Sequence, residues 1–288
     1  MDNNILRKLE MGLSGFSKSQ KIIANYIIEH YDKAAFMTAA KLGATINVSE
    51  STVVRFAAEL GFDGYPAMQK AIQEMIRNKL TSVQRIEVAS NRLGDSSVLD
   101  MVLQADVDNI TKTLAETNSR EFDEVVNAIL GARRIYIIGV RSAAALSYFI
   151  GFYFNLIFPD VRVVGTISTS EIFEQILGIS EDDVLIAASF PRYSKRTLKA
   201  MQYAKDRKAQ VIAFTDSPSS PLSQYADHML CARSDMVSFA DSLAAPFSLV
   251  NALIVAISMR KNKEISDTFH SLEKIWDEYE VYEKLDSE

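Results

Sequence analysis

A single cysteine, Cys231, serves the whole of this 288-residue chain, so an intramolecular disulfide is excluded. Four-cysteine zinc sites go with it, and with only His30, His228 and His270 no His/Cys metal cluster is expected. Positive charge is also in short supply. The chain sets 31 Lys and Arg against 37 Asp and Glu, for a net charge of −6 and a pI near 5.3. That balance argues against a protein that coats nucleic acid or anionic lipid by bulk attraction. No basic n-region opens the chain and Lys or Glu interrupts every early apolar run, so no signal peptide is read. The most apolar stretch, residues 243–259, falls short of the ~20 residues a membrane span needs and contains Pro246, Ser248, Asn251 and Ser258. A buried helix in a cytoplasmic protein without a membrane partner is expected. What is present is globular in character, 48% hydrophobic and 24% charged. The length fits roughly two domains of about 100–200 residues each.

The acidity is unevenly placed. Residues 1–78 carry 9 basic and 8 acidic side chains, close to neutral, so the excess of negative charge belongs to the remainder. The first part has helical periodicity and no strand alternation. Ser17 is placed to cap a helix running to about Tyr31, with Ile22, Ile23, Tyr26 and Ile27 on one face. Thr38 is placed to cap a short helix carrying Ala39, Leu42 and Ile46; after Asn47 and Val48, Ser49 opens another that runs to about Leu60. Gly61 lies where a residue of positive φ is expected, and a further helix is predicted over 66–79. Residues 79–96 read as a linker and 97–116 as a helix with Leu99, Leu103, Ile110 and Leu114 on one stripe. Beyond it, Val- and Ile-rich runs at 134–138, 161–164, 184–188, 211–214 and, more weakly, 228–231 alternate with helical segments at 143–158, 170–177 and 196–206. That order predicts a doubly wound parallel sheet with ligands at the carboxyl ends of its strands.

Two short helices joined by a tight turn inside a helical domain point to helix-turn-helix DNA binding. Val53, Phe56, Ala57 and Leu60 share the inward face of the second helix, which leaves Ser49, Ser51, Thr52 and Arg55 for base edges and phosphates. Thr38 and Lys41 at the start of the first helix complete the candidate DNA-binding set. Glu50 would disfavour a phosphate beside it unless it accepts from a cytosine amino group. The same spacing also fits an ordinary capped helix in a small bundle. The run Val48-Ser49-Glu50-Ser51-Thr52-Val53-Val54-Arg55-Phe56, followed by Glu59-Leu60-Gly61-Phe62-Asp63-Gly64-Tyr65, resembles the N-terminal domain of the RpiR family of bacterial transcription regulators. Phe16-Ser17-Lys18 and Ile22 to Ile27 resemble that family's opening helix. In such domains Gly61 and Gly64 would be turn residues, with Phe62 and Tyr65 in the core.

The resemblance implies that the sheet region, about 122–262, is a sugar-isomerase (SIS) domain, a phosphosugar-binding fold. Gly139-Val140-Arg141-Ser142 is similar to the SIS turn G-x-x-S, a helix-start anion site. Ser189-Phe190-Pro191-Arg192-Tyr193-Ser194 stands where SIS domains commonly carry S-x-S-G-x-T-x-E, the loop that cradles the phosphate. Ser189 matches the first Ser and Ser194 the Thr; Pro191 replaces the second Ser, Arg192 the Gly and Arg196 the Glu. The proline removes a donor, while Arg192, Lys195 and Arg196 concentrate positive charge in an acidic domain. The candidate ligand set is therefore Gly139, Arg141, Ser142, Ser189, Arg192, Ser194 and Arg196, for a phosphorylated sugar or related anion. Thr215 to Leu222 resembles the SIS segment T-D-x-x-x-S-P-L and is read mainly as turn chemistry. Thr166, Ser168, Thr169 and Ser170 lie where hydroxyls can meet a polyol, with Ser170 as a helix cap. Cys231 is read as a buried, inert thiol.

The expected architecture is thus an all-α helix-turn-helix domain over 1–78, a linker and connecting helix over 79–121, an α/β doubly wound parallel-sheet SIS domain over 122–262, and a C-terminal helix over 263–288. Three functions compete: an effector-responsive regulator, a sugar-phosphate isomerase, and a SIS fold used only for dimerisation through the apolar helix at 249–257. Isomerisation needs a general base, Glu or His, yet the motif's Glu is Arg196 and no His falls in a strand-end loop, though Glu171 and Glu174 lie near the crevice. The regulator is the expected function: no catalytic residue, cofactor or metal, with double-stranded operator DNA, a phosphosugar or anionic sugar-derived effector, and further copies of the chain in a homodimer or higher homo-oligomer as partners. Residues 99–114 and the preceding linker are the expected route of transmission.

Overall fold

Helix caps written into the sequence start the first part of the chain. The computed structural model describes residues 5–76, 86, 97–165 and 168–283, and the chain divides into two compact units, Met1–Val98 with Val237–Ala240, and Leu99–Met236 with Asp241–Glu288. The expected linker at 79–96, Ile86 apart, and Thr166 lie outside the described residues. In the first unit α1 (Ile5–Gly12), α2 (Lys18–Glu29), α3 (Tyr31–Ala34), α4 (Ala39–Ile46), α5 (Glu50–Glu59) and α6 (Gly64–Ile76) enclose a core that includes Ile5, Leu9, Ile23, Ile27, Leu42, Val53, Phe56, Met68 and Ile72. Ser17 caps α2 in a reciprocal box with Gln20, Thr38 caps α4 and Ser49 caps α5. Ile22 departs from expectation. It is 41% exposed, because the 100° step turns Ile23, Ala24 and Ile27 inward and leaves it on the flank. Gly61 and Gly64 both have positive φ, +85° and +78°, and Tyr65 is buried with its hydroxyl donating to the Met37 carbonyl at 2.7 Å. Burial pushes that phenol up to about 12.

The second unit begins with α7 (Val98–Glu116) and α8 (Ser119–Gly131). The sequence reading missed α8, where the Asn118 side chain caps the helix and Val125, Val126 and Ile129 are buried. Five parallel strands follow, β1 (Arg134–Gly139), β2 (Val161–Val163), β3 (Asp183–Ala188), β4 (Gln210–Thr215) and β5 (His228–Cys231), in the order β2-β1-β3-β4-β5. Ile135, Ile137, Ile186, Ile212 and Phe214 face α9 (Ala143–Ile157) and α12 (Ala244–Arg260). Tyr136, Ile138, Leu185, Val211 and Ala213 face α10 (Thr169–Ile176) and α11 (Lys195–Asp206), so both sheet faces are covered. The C-terminal helix is α13 (Asn262–Glu278).

One expectation changes here. Ser168, not Ser170, caps α10, in a box with Glu171, because the helix begins at Thr169. In the apolar helix at 249–257, Leu249, Val250, Leu253 and Ile257 of α12 are buried against the sheet of their own chain, while Val255 on the opposite face is 54% exposed. Among the described residues no single helix is long and apolar enough to cross a membrane.

At the base of β3 the buried Asp183 carboxylate takes two hydrogen bonds from Arg133, at 3.0 and 2.9 Å, and two from the Ser180 amide and hydroxyl. Burial works to raise its pKa, but these donors outweigh burial and hold it below the usual carboxylate value. The open edge of β5 is closed by side chains. Glu121 accepts the Met229 N–H at 2.9 Å, and beyond the strand Thr113 Oγ1 accepts the Arg233 N–H at 2.9 Å.

Candidate functional site

The α4–α5 corner is built by close approach. A Cβ at Gly43 would lie 2.5 Å from the Val48 carbonyl oxygen, so only glycine lets the chain cross α4 so closely. Asn47 makes the corner in the left-handed conformation, φ +57°, which asparagine tolerates better than most residues. Gly43 was missed by the sequence reading, since a glycine inside a helical pattern signals its packing only once the neighbour is known.

The predicted DNA-binding residues fall into two groups. At the start of α5, Ser49 Oγ lies 3.0 Å from Ser51 Oγ and 2.7 Å from Thr52 Oγ1, and it accepts the Thr52 N–H at 3.3 Å. Arg55 stands one turn further along; Ser49, Ser51 and Arg55 are exposed and Thr52 is half-buried. At the start of α4, Thr38 Oγ1 accepts the Lys41 N–H at 3.2 Å, and both residues are exposed. Ser49 and Thr38 thus act as helix caps, and the Ser49 hydroxyl is shared with those of Ser51 and Thr52 as well.

In the second unit β1 is flanked by β2 on one side and β3 on the other, so the chain order reverses between β1 and β3. A crevice opens at the carboxyl end of such a switch point. Both predicted anion loops start there, side by side, because Gly139 and Ala188 are register partners. Gly139 ends β1 against α9: an added Cβ would sit 2.3 Å from the Ala143 carbonyl oxygen and 2.4 Å from Ser147 Oγ. Arg141 follows with φ +61°; Ser142 precedes α9, exposed, and its side chain makes no capping hydrogen bond.

The second loop is pinned from within. Buried Ser189 accepts the Ser194 N–H at 3.1 Å, and Ser194 caps α11 by accepting from Arg196 and Thr197. Pro191 is buried, while Arg192 and Arg196 are exposed. Arg192 takes φ +66°, the left-handed conformation that a glycine adopts without strain, so its guanidinium stands on a glycine-type turn. Tyr193 donates to Asp216 at 2.8 Å, and Thr215 donates to the same oxygen at 3.2 Å. This tie between the loop and the end of β4 was not foreseen; only the fold brings positions 193 and 216 together. Of the predicted ligand residues, Arg141, Ser142, Arg192 and Arg196 are exposed, Ser194 is half-buried, Ser189 is buried and Gly139 ends β1.

Two of the groups weighed as a catalytic base are held elsewhere, and Glu174 is exposed on α10. Glu171 accepts the Ser168 N–H in its cap, and His228 opens β5 at the amino edge, opposite the crevice. There His228 Nδ1 lies 3.4 Å from Glu121 and 3.9 Å from Glu124, three ligand atoms within 4.8 Å that the sequence reading did not group. Cys231 is half-buried, and burial, with Asp216 and Glu116 adding to it, pushes its thiol up to about 11.

Residues 3–79 match the model of the helix-turn-helix domain of the rpiR family, and residues 128–256 match that of the SIS domain. The chain belongs to the RpiR family. It is 27% identical over 229 residues to an uncharacterized HTH-type transcriptional regulator of Haemophilus influenzae, covering 79% of each chain. Escherichia coli HexR, an HTH-type transcriptional regulator, is 23% identical over 282 residues, covering 92% of this chain and 91% of that one. Among solved structures, the sugar isomerase domain of an RpiR transcription factor from Sphaerobacter thermophilus aligns with TM-score 0.59 and 26% identity, covering 62% of this chain and 99% of that one. Vibrio vulnificus NanR, complexed with ManNAc-6P, aligns with TM-score 0.59 and 22% identity over 96% of this chain and 99% of its own. This RpiR-family chain is a helix-turn-helix transcription regulator with a SIS domain behind the DNA-binding one.

Proposed function

We propose that this regulator binds a phosphorylated sugar or a closely related anion in the crevice at the carboxyl ends of β1 and β3, and that the ligand changes its affinity for operator DNA. The observation that carries this reading is the pair Arg141 and Arg192. Each holds a left-handed backbone, at φ +61° and +66°, in the first turn beyond two register-paired strands. For a side chain with a Cβ that conformation costs roughly 1–2 kcal/mol, a strain that clusters at binding sites. Guanidinium groups there suit bidentate binding of phosphate, with Ser142 and Arg196 as further donors. The ManNAc-6P held by Vibrio NanR, which shares the fold, sets the ligand class to try first.

Domain limits of 1–78, 79–121, 122–262 and 263–288 serve this reading, in the cytoplasm and without catalysis, cofactor or metal. α5 reads the major groove with Ser49, Ser51, Thr52 and Arg55, and Thr38 and Lys41 hold phosphates beside it. A homodimer presents two such helices to half-sites about 34–36 Å apart. The effector acts only through its different affinity for the DNA-competent and incompetent states; a coupling of about 1–3 kcal/mol changes operator affinity roughly 5–150-fold.

A thermal-shift screen of phosphosugars, with hits retested in a DNA mobility-shift assay, tests the reading. A hit that raises the wild-type melting temperature, fails to do so for Arg192→Ala, and shifts DNA binding is the expected outcome. Turnover of a hit by the purified protein, or stabilisation that persists in Arg141→Ala and Arg192→Ala, sinks it.

A further inference from the structure

Glu121 and Glu124 stand one turn apart on α8, so both carboxylates leave the same face of the helix. The Asn118 cap fixes where that helix starts, and its buried Val125, Val126 and Ile129 pin it in the core. His228 is the first residue of β5 and is held in register with Ile212 of β4. Two rigid elements far apart in the chain thus gather three metal-ligating side chains at the amino edge of the sheet. His228 Nδ1 lies 3.4 Å from Glu121 Oε1 and 3.9 Å from Glu124 Oε2, yet this nitrogen is buried and makes no hydrogen bond. A polar atom so placed is unfavourable unless something else satisfies it. Glu121 Oε1 is oriented by the Met229 N–H at 2.9 Å, as metal-ligating carboxylates commonly are by a neighbouring donor. The other oxygen of Glu124 meets Arg120 at 3.0 Å, but that side chain is 87% exposed and offsets little of the charge.

We propose that Glu121, Glu124 and His228 bind a divalent cation of the zinc type, which ties α8 to the start of β5. Zinc bonds of about 2.0–2.2 Å to nitrogen and oxygen, at the tetrahedral angle, set neighbouring ligand atoms roughly 3.3–3.6 Å apart. The separation from Glu121 falls in that range, and the 3.9 Å from Glu124 closes to it by a small turn of a side chain that is 41% exposed. The ion satisfies the His228 nitrogen and neutralises two adjacent carboxylates in a chain of net charge −6. All three ligands are partly open to solvent, so water takes the fourth position. Calcium takes about 6–8 oxygen ligands and magnesium a rigid octahedron, so one imidazole with two carboxylates selects against both. Because Glu121 also covers the open edge of β5, the ion fastens the helix that protects that edge. The crevice lies at the opposite end of the strands, and its proposed ligand needs no metal, so the two sites stand independently.

Equilibrium dialysis of the untagged full chain against buffered zinc, after stripping with EDTA, tests this. Wild type should take up one zinc per chain, since among the described residues no other three such ligand atoms gather this closely. Zinc at about 100 times its dissociation constant should raise the melting temperature by roughly 5–11 °C. His228→Gln and Glu124→Gln should each weaken zinc binding by at least the roughly 10–100-fold that loss of a supporting contact alone costs. Glu124→Gln changes a side chain at the surface of α8 and decides the matter should His228→Gln fail to fold. Cobalt in place of zinc should give the intense visible bands of a four-coordinate ion in wild type and not in the variants. A wild type that takes up no zinc at micromolar free metal, or zinc held equally well by both variants, overturns the inference. So does magnesium that stabilises wild type and His228→Gln alike, which would mark a bare acidic patch.

Discussion

Replacing Gly139 by alanine probes the closest backbone approach at the crevice, and its cost follows from three distances. The added Cβ meets the Ala143 carbonyl oxygen at 2.3 Å, Ser147 Oγ at 2.4 Å and the Ala143 carbonyl carbon at 2.7 Å. The shortest is about 1 Å inside the ~3.5 Å optimum for such pairs. Two of the three atoms are backbone in the first turn of α9, and Ser147 is only 1% exposed, so nothing swings aside and the helix must move. Overpacking of this kind costs about 1–3 kcal/mol, and the backbone obstacle places this site near 3. For a folding unit of about 150–250 residues, 1 kcal/mol moves the melting temperature by roughly 2–4 °C, so a fall of about 6–12 °C is expected. Trp276, the sole tryptophan, lies in α13 and lets fluorescence follow this unit. Gly131→Ala is the matched control. Its Cβ meets nothing within 4 Å and its φ is ordinary, so the loss of unfolded-state freedom should stabilise by about 0.4–1 kcal/mol. If Gly139→Ala melts within 2 °C or so of wild type, the argument from close approach fails.

Asp183→Ala leaves the Ser180 amide without its acceptor while the half-exposed Arg133 turns to solvent, and should cost about 1–3 kcal/mol at neutral pH. The folded pKa of Asp183 is depressed, so its contribution is present above the unfolded carboxylate value near 4 and is lost as pH falls through the folded value. Acid titrations of stability for wild type and Asp183→Asn should therefore converge below about pH 4; parallel curves would refute the assignment. Alkylation of native Cys231 at neutral pH should run on the order of 100-fold slower than that of the unfolded chain, since a thiol near 11 holds little thiolate. Equal rates would show it to be reactive. Tyr193→Phe removes the hydrogen bond to Asp216 and should cost about 1 kcal/mol, with effector affinity falling several-fold as the Arg192 turn loosens. An unchanged affinity in calorimetric titration would separate the tie from the site. Arg55→Ala should weaken operator binding by about 1–3 kcal/mol without moving the melting temperature, and unchanged mobility shifts would remove α5 from the interface.

Local chemistry was legible wherever a residue acts on its own neighbours. Ser17, Thr38 and Ser49 cap the helices that follow them, since a cap is a contact across three residues. The five strands stood out because strands covered on both faces are apolar throughout. Even the glycine-type turn under Arg192 was visible as a departure from the SIS loop pattern, although its retained geometry was not.

What the sequence left undecided depends on positions far apart in the chain. The stripe at 99–114 was correctly periodic, but periodicity cannot say which way a face points; Asn109 and Thr113 turn inward only because the sheet has an open edge that needs partners. The apolar helix at 249–257 gave no sign of which of its faces the sheet would cover. Most of all, strand order is invisible in a linear string. By itself the sequence determined a helical part and a parallel-sheet part, most of their elements, and a supply of arginine and hydroxyl groups in the loops. Tertiary structure alone placed β1 beside β3 and set the loops that carry Arg141 and Arg192 beyond the carboxyl ends of neighbouring strands, because parallel pairing joins residues some fifty positions apart.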